Sequence, residues 1–173
     1  SQVRESHEKL VRKGFIVKLK NMSPEQQHMV TNLNCGYFLP ISIVFKQSYS
    51  TPSRICVDGS TKTSSGYGLN CLLPKGFIPL SLSRLIWNWK LLPVAISSDI
   101  GSFYCKIRLD ARWWGVQKFR WSDTLLPHGT FDTYVILTVI YGLKSSAVVC
   151  EMAIRKLCIA HPELTSICLL YTS

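Results

Sequence analysis

The run Val94-Ala95-Ile96-Ser97-Ser98-Asp99-Ile100 ends in an acid, and its pattern predicts a strand. Val94, Ile96 and Ile100 point to one face, Ala95, Ser97 and Asp99 to the other. A lone acid at a strand end, among small neighbours, can project into an open site. The same pattern suits an edge aspartate that caps a turn at Gly101, and pattern alone favours that plainer role. Basic residues offer a second chemistry, often beside aromatics: Trp89-Lys90, Arg112-Trp113 and Phe119-Arg120-Trp121. Such pairs suit a groove that grips phosphates and stacks bases, and they suit equally a strand with one wet face. Gly66-Tyr67-Gly68 near Lys62 is too little for a phosphate loop, which needs its full spacing and flanking elements.

The 173 residues carry 20 Lys plus Arg against 10 Asp plus Glu, a net charge of +10 that points to an acidic partner, of which nucleic acid is the commonest. A basic surface kept soluble by self-repulsion would carry the same charge. Seven cysteines, an odd number with no Cys-x-x-Cys, argue against a zinc site and a disulfide framework and imply a reducing compartment. The four histidines are isolated from one another, and no Cys/His pair suggests a nucleophile. No apolar run has membrane-helix length, and no secretory signal is visible. An apolar content of 47% with five Trp argues against disorder, and the length fits one domain or a piece of a larger one.

Several elements must position these groups. The first thirty residues read as helical in patches, with Ser23-Pro24-Glu25 a helix start. Cys35 to Phe45 predicts an edge or bent strand because of Pro40, and Arg54 to Asp58 a short strand. Gln47 to Ser53 is a polar loop, and Gly59 to Gly68 a turn-rich stretch. Leu82, Leu85, Ile86 and Trp89 recur at helical spacing before Pro93. Val116 to Trp121 and Tyr134 to Ile140 predict a hairpin around Pro127-His128-Gly129. After Gly142, the residues Ala147, Cys150, Ile154, Leu157 and Cys158 mark one face of a helix that stops before Pro162, with Glu151 and Arg155 paired four apart. There are no internal repeats.

Three segments, in order, resemble the reverse transcriptase of Bel/Pao-type long-terminal-repeat retrotransposons. The first runs Tyr37-Phe38-Leu39-Pro40 to Val44, then Arg54-Ile55-Cys56-Val57-Asp58-Gly59-Ser60-Thr61-Lys62-Thr63 and Leu69-Asn70-Cys71-Leu72-Leu73, and is similar to the family's fingers motif. The second, Ala95 to Ile100 through Phe103-Tyr104 to Ile107, is similar to the first catalytic palm motif. The third, Val139-Ile140-Tyr141-Gly142-Leu143-Lys144-Ser145-Ser146-Ala147, is similar to the motif Phe-Gly-Leu-x-x-x-Pro that grips template and nucleotide. The resemblance runs to about Glu163.

It implies an α+β fold, a partial right-hand polymerase of fingers plus the first part of the palm. Residues 1–91 would be fingers, 92–112 the palm strand, 113–146 a returning fingers hairpin and 147–167 a palm helix. Asp99 would be the first carboxylate for two Mg2+ ions, which activate the primer 3′-hydroxyl and neutralise the leaving pyrophosphate. Tyr104 would be the steric gate that selects deoxynucleotides. Arg54 would brace the incoming triphosphate, with Lys62 in the same phosphate region. Tyr141 and Gly142 would approach the template-primer, and Lys144 would touch phosphate. Implied partners are an RNA/DNA template-primer duplex, dNTP and the rest of a Pol polyprotein, in the cytoplasm or a virus-like particle, with no membrane.

Two departures follow. Ala147 stands where the family usually has Pro. The Tyr-x-Asp-Asp motif that supplies the other carboxylates is absent: after Lys156 the only acid is Glu163, and Asp110 occupies a position the family does not use for metal. Since one carboxylate cannot hold two ions, this chain is expected to be inactive alone. Cys168 to Ser173 matches one reading frame of a sequencing-library adaptor and is expected to be a scar. A non-catalytic nucleic-acid-binding remnant of a decayed retroelement is the alternative, and a basic domain with chance matches a third reading.

Overall fold

The computed structural model describes residues 2–32, 37–45, 53–77, 82–91, 93–94, 98–123 and 129–165. Helix α1 (Gln2–Arg12) has Glu5 in its first turn and Lys9 and Arg12 in its last, each complementing the helix dipole. It ends in a Schellman motif: Phe15 N–H donates to Leu10 O (3.0 Å), Gly14 N–H to Val11 O (2.9 Å), and Gly14 takes φ +67°. Strand β1 (Ile16–Lys18) and a 3₁₀ turn follow. Helix α2 (Pro24–Asn32) starts where the sequence predicts. Ser23 Oγ accepts the Gln26 N–H at 3.3 Å while Gln26 Oε1 accepts the Ser23 N–H at 3.2 Å, a reciprocal capping box.

The strand expected over Cys35 to Phe45 begins only at Ile41, after Pro40. Residues 33–36 lie outside the described ones, and Tyr37 to Pro40 is irregular. Strand β2 (Ile41–Phe45) pairs antiparallel with β3 (Ser53–Val57), Ile41 opposite Val57. The expected loop lies outside the described residues but for Ser53, which is in β3. Short helix α3 (Leu69–Leu72) and helix α4 (Leu82–Lys90) come next, and Ile86 and Trp89 on the predicted stripe of α4 are exposed. Of the strand expected over Val94 to Ile100, residues 95–97 lie outside the described ones. Ser98 to Ile100 form no strand, because the chain turns at once: Phe103 N–H donates to Ile100 O (3.1 Å), and Ser102 takes a left-handed φ of 57°.

Helix α5 (Phe103–Lys106) leads to a 3₁₀ turn, Ala111–Val116, capped by Asp110, whose Oδ1 accepts the Arg112 N–H (2.9 Å). Asp110 is thus a turn residue. Strands β4 (Lys118–Trp121) and β5 (Asp132–Ile136) pair antiparallel as the expected hairpin, shifted from the predicted bounds; residues 124–128 of its turn lie outside the described ones. Past Ile136 the chain changes partner. Leu137 O accepts from Leu109 N–H and Val139 N–H donates to Ile107 O, both at 2.9 Å, so the apolar run continues but the hairpin ladder does not. Helices α6 (Ser146–Ala160) and α7 (Pro162–Thr165) finish the described chain.

The sheet order is β1-β5-β4, with β5 in the middle. Its residues serve two cores. Tyr134 and Ile136 pack with Val3, Ile16, Phe119, Trp121, Leu39 and Val57 on the face covered by α1 and the β2–β3 hairpin. Val135 and Leu137 pack with Met22, Val30 and Trp114 on the other. This explains an uninterrupted apolar run from Tyr134 to Leu137: both faces of the strand are buried. In α6 the buried line is Ser146, Cys150 and Cys158; Ala147 and Leu157, expected on it, are exposed. Glu151 and Arg155 do pair, at 2.8 Å. The architecture is mixed α+β. Among the described residues, no helix is long and apolar enough to cross a membrane.

Candidate functional site

Strand β3 delivers two of the predicted residues. Arg54 is exposed on it, and the strand ends in a turn built by Asp58. Asp58 Oδ2 accepts the Thr61 hydroxyl (2.8 Å) and Oδ1 accepts the N–H groups of Ser60 (2.9 Å) and Thr61 (3.2 Å). Those bonds, the Thr61 hydroxyl foremost, hold the Asp58 carboxyl below the ordinary carboxylate range. Lys62 follows directly and is exposed.

The loop Tyr141 to Lys144 lies against the same turn. Gly142 takes φ +99°, and a Cβ there would sit 2.0 Å from Val57 O at the end of β3. Only glycine permits so close an approach of the two backbones. Asn70, from α3, joins the segments: its Nδ2 donates to Gly142 O (3.0 Å) and Ser60 Oγ (2.9 Å), and its Oδ1 accepts the Lys144 N–H (2.8 Å). Ser146 closes the turn into α6, its Oγ donating to Ile140 O at 2.6 Å.

Tyr104, on α5, packs its ring against Tyr141 with centroids 4.3 Å apart and planes tilted by 47°. Burial raises the Tyr141 phenol above its ordinary value; Cys105, Tyr104 and Asp99 add to this, and the Arg54 guanidinium opposes it. Tyr104 thus touches the Tyr141 ring directly, while Arg54 and Asp99 act on its phenol only through their charges. Asp99 is exposed just before the Ile100–Phe103 turn that starts α5. The three segments singled out in the sequence meet around Tyr141 and Gly142. Lys62 and Lys144 stand exposed on the bridged turn and loop.

Among the described residues, no group of three or more His, Cys, Asp or Glu side chains could hold a metal. Asp99 supplies one carboxylate, and that donor set does not fit a two-ion centre. The five described cysteines, Cys56, Cys71, Cys105, Cys150 and Cys158, are free thiols. Of the basic–aromatic pairs, Phe119-Arg120-Trp121 is an ordinary strand: Phe119 and Trp121 are buried and Arg120 is exposed. Trp89 and Trp113 remain exposed beside Lys90 and Arg112. The residue that sequence reasoning left without a role is Asn70. Its signal was a lone amide in the apolar frame Leu69-Asn70-Cys71-Leu72, with its partners far away in the chain. No protein-family model and no curated protein matches the chain.

Proposed function

We propose that the chain is part of a reverse transcriptase of the Bel/Pao retrotransposon type, comprising the fingers and the first part of a palm. The observation that supports this best is convergence. Val57 and Asn70 of the segment that carries Arg54, Tyr104 of the segment that carries Asp99, and the Tyr141–Lys144 loop belong to three separated segments, each similar to a polymerase motif, and meet at one ring and one glycine. In the complete enzyme the primer 3′-hydroxyl oxygen attacks the α-phosphorus of a dNTP. A P–O bond forms, the hydroxyl proton passes to water, the bond from the α-phosphorus to the α–β bridging oxygen breaks and pyrophosphate leaves; Mg2+, if held by the acids of a longer chain, would supply stabilisation of that charge. Within this chain, Arg54 and Lys62 face the triphosphate, Tyr104 limits the space beside the sugar, and Tyr141, Gly142 and Lys144 face the template-primer. Asp99 would be one carboxylate for that metal. The others are not in these 173 residues, so the chain alone binds without catalysing. In the cell the enzyme works in the cytoplasm or a virus-like particle.

A second reading, a non-catalytic nucleic-acid-binding remnant, is favoured by the same missing acid pair. Fluorescence anisotropy with a labelled hairpin bearing a recessed 3′ end tests what both share. The wild-type chain should bind at low salt, and Lys144→Ala should weaken binding and lower the salt slope by about one. No binding at about 50 mM salt, where phosphate contacts are strong, defeats both readings. To separate them, a longer chain carrying an in-frame acid pair should extend a primer, and Asp99→Asn should abolish that extension. If that longer chain binds but does not extend, the remnant reading stands.

A further inference from the structure

Asn70 uses its side-chain amide on groups far from it in sequence: Ser60 lies 10 residues away, Gly142 72 and Lys144 74. Its own backbone N–H is taken by Gly59 O at 2.7 Å. The orientation of the amide is dictated by its partners. Gly142 O can only accept and the Lys144 N–H can only donate, so a flipped amide would lose both bonds. Close by, a Cβ on Gly59 would meet Asn70 Oδ1 at 2.9 Å and Leu143 Cδ2 at 2.8 Å, which leaves no room for a water between turn and loop at that point. The Val57–Gly142 approach sets how near the loop comes to β3. It does not set the tilt of the loop, which two antiparallel bonds to one rigid amide plane do.

We infer that Asn70 is a positioning residue that locks the Tyr141–Lys144 loop to the Asp58–Lys62 turn. Groups assigned to the template-primer and groups assigned to the triphosphate are thereby held at one spacing and respond together. The identity of the ligands rests on the polymerase reading; the mechanical link does not.

Residue-resolved hydrogen exchange on the full chain, with and without a DNA hairpin bearing a recessed 3′ end, tests the link. In the free protein, Asn70→Ala should speed exchange at Lys144 about tenfold, the worth of one hydrogen bond, while Val135 and Ile136 in β5 stay unchanged. Asn70→Asp keeps the acceptor for Lys144 and loses the bond to Gly142 O, while the Ser60 hydroxyl can turn and donate to the new carboxylate, so Lys144 should stay slow. With the hairpin bound, exchange in the wild type and in Asn70→Asp should slow both at Lys144 and at Ser60 and Thr61; in Asn70→Ala, which has no side-chain link to either segment, the protection should reach the loop alone. A residue that merely stabilised the fold would not separate these two responses. Lys144 exchange within twofold of wild type in Asn70→Ala overturns the inference, as does undiminished protection of Ser60 and Thr61 in Asn70→Ala. If Asn70→Ala also loses protection in β5, the rate at Lys144 in Asn70→Asp decides: slow supports the link, and exchange as fast as in Asn70→Ala overturns it. Should the hairpin not bind the wild type, the polymerase reading fails, and Lys144 exchange in the free variants still decides the link.

Discussion

Replacing Gly142 by alanine tests whether the loop is truly seated on β3. Two costs add. An L-residue at φ +99° carries roughly 1–3 kcal/mol of backbone strain. The new Cβ would lie 2.0 Å from Val57 O, so the loop must retreat by about 1 Å or more to reach ordinary contact. That retreat stretches the Asn70–Gly142 bond from 3.0 Å beyond hydrogen-bonding range, a further loss of about 1 kcal/mol. The expected total is about 2–4 kcal/mol, a large share of the stability of an ordinary domain. Gly14→Ala is the matched control: its φ is +67°, and nothing lies within 4 Å of the added Cβ. It should lose only the strain, about 1–2 kcal/mol. Urea denaturation of both variants, with slopes compared to exclude a change in the unfolded state, measures the difference. If the two substitutions cost the same within about 0.5 kcal/mol, the close approach of Gly142 to Val57 is refuted.

His7 should make stability fall on the acid side. It is 3% exposed, stacked on Trp121 at 4.2 Å and edge-on to Tyr134 at 4.5 Å, and burial lowers its pKa below 6.5, with Asp123 and Glu8 opposing. The neutral ring's contribution is therefore fully present above about pH 6.5 and declines as pH falls toward the folded value, at a slope of at most about 1.4 kcal/mol per pH unit. Urea melts between pH 7.5 and 5.5 should show that slope in the wild type and a flatter profile in His7→Phe; parallel profiles would contradict it. Ser53→Ala should cost about 1–2 kcal/mol and speed exchange in α1 first, since the buried Ser53 hydroxyl donates to Gln2 O (3.0 Å) and meets Ser6 Oγ (2.6 Å). Among the five described cysteines, alkylation with iodoacetamide at pH 8, followed by mass spectrometry, should label exposed Cys71 first. Cys150, buried and with its thiol pushed up to about 11, should react only on unfolding.

What the sequence made legible was whatever local chemistry decides. Ser23 before Pro24 marked α2, Gly142 and Pro162 bracketed α6, and Glu151 found Arg155 one turn on, because caps, breakers and i,i+4 pairs act within a few residues. The three-residue β1 escaped because so short a strand has no period to detect; its partner 120 positions away makes it a strand. Ser98 to Ile100 looked strand-like but is cut off by a left-handed Ser102, a conformation no pattern of apolar residues signals. In the site, Arg54, Asp99, Tyr104 and Gly142 could be named from residue types in motif order. The packing of Tyr104 on Tyr141 could not, nor could the bridging role of Asn70, since a bridge of 72 residues is a property of the fold alone.

The position of β5 has a consequence for the order in which the molecule is made. Ile16 waits for Ile136, so the sheet cannot close until about 120 further residues have left the ribosome, roughly 6–24 s at ordinary rates of synthesis. During that interval α1, β1 and α2 have no middle strand to cover, and Val3, Ile16, Met22 and Val30 face solvent or a chaperone. Both cores then acquire their shared wall in a single event. A ribosome stalled before Asp132 should carry a nascent chain open to protease along its N-terminal third, and one stalled long enough after Ile140 for that segment to clear the exit tunnel a chain that resists it.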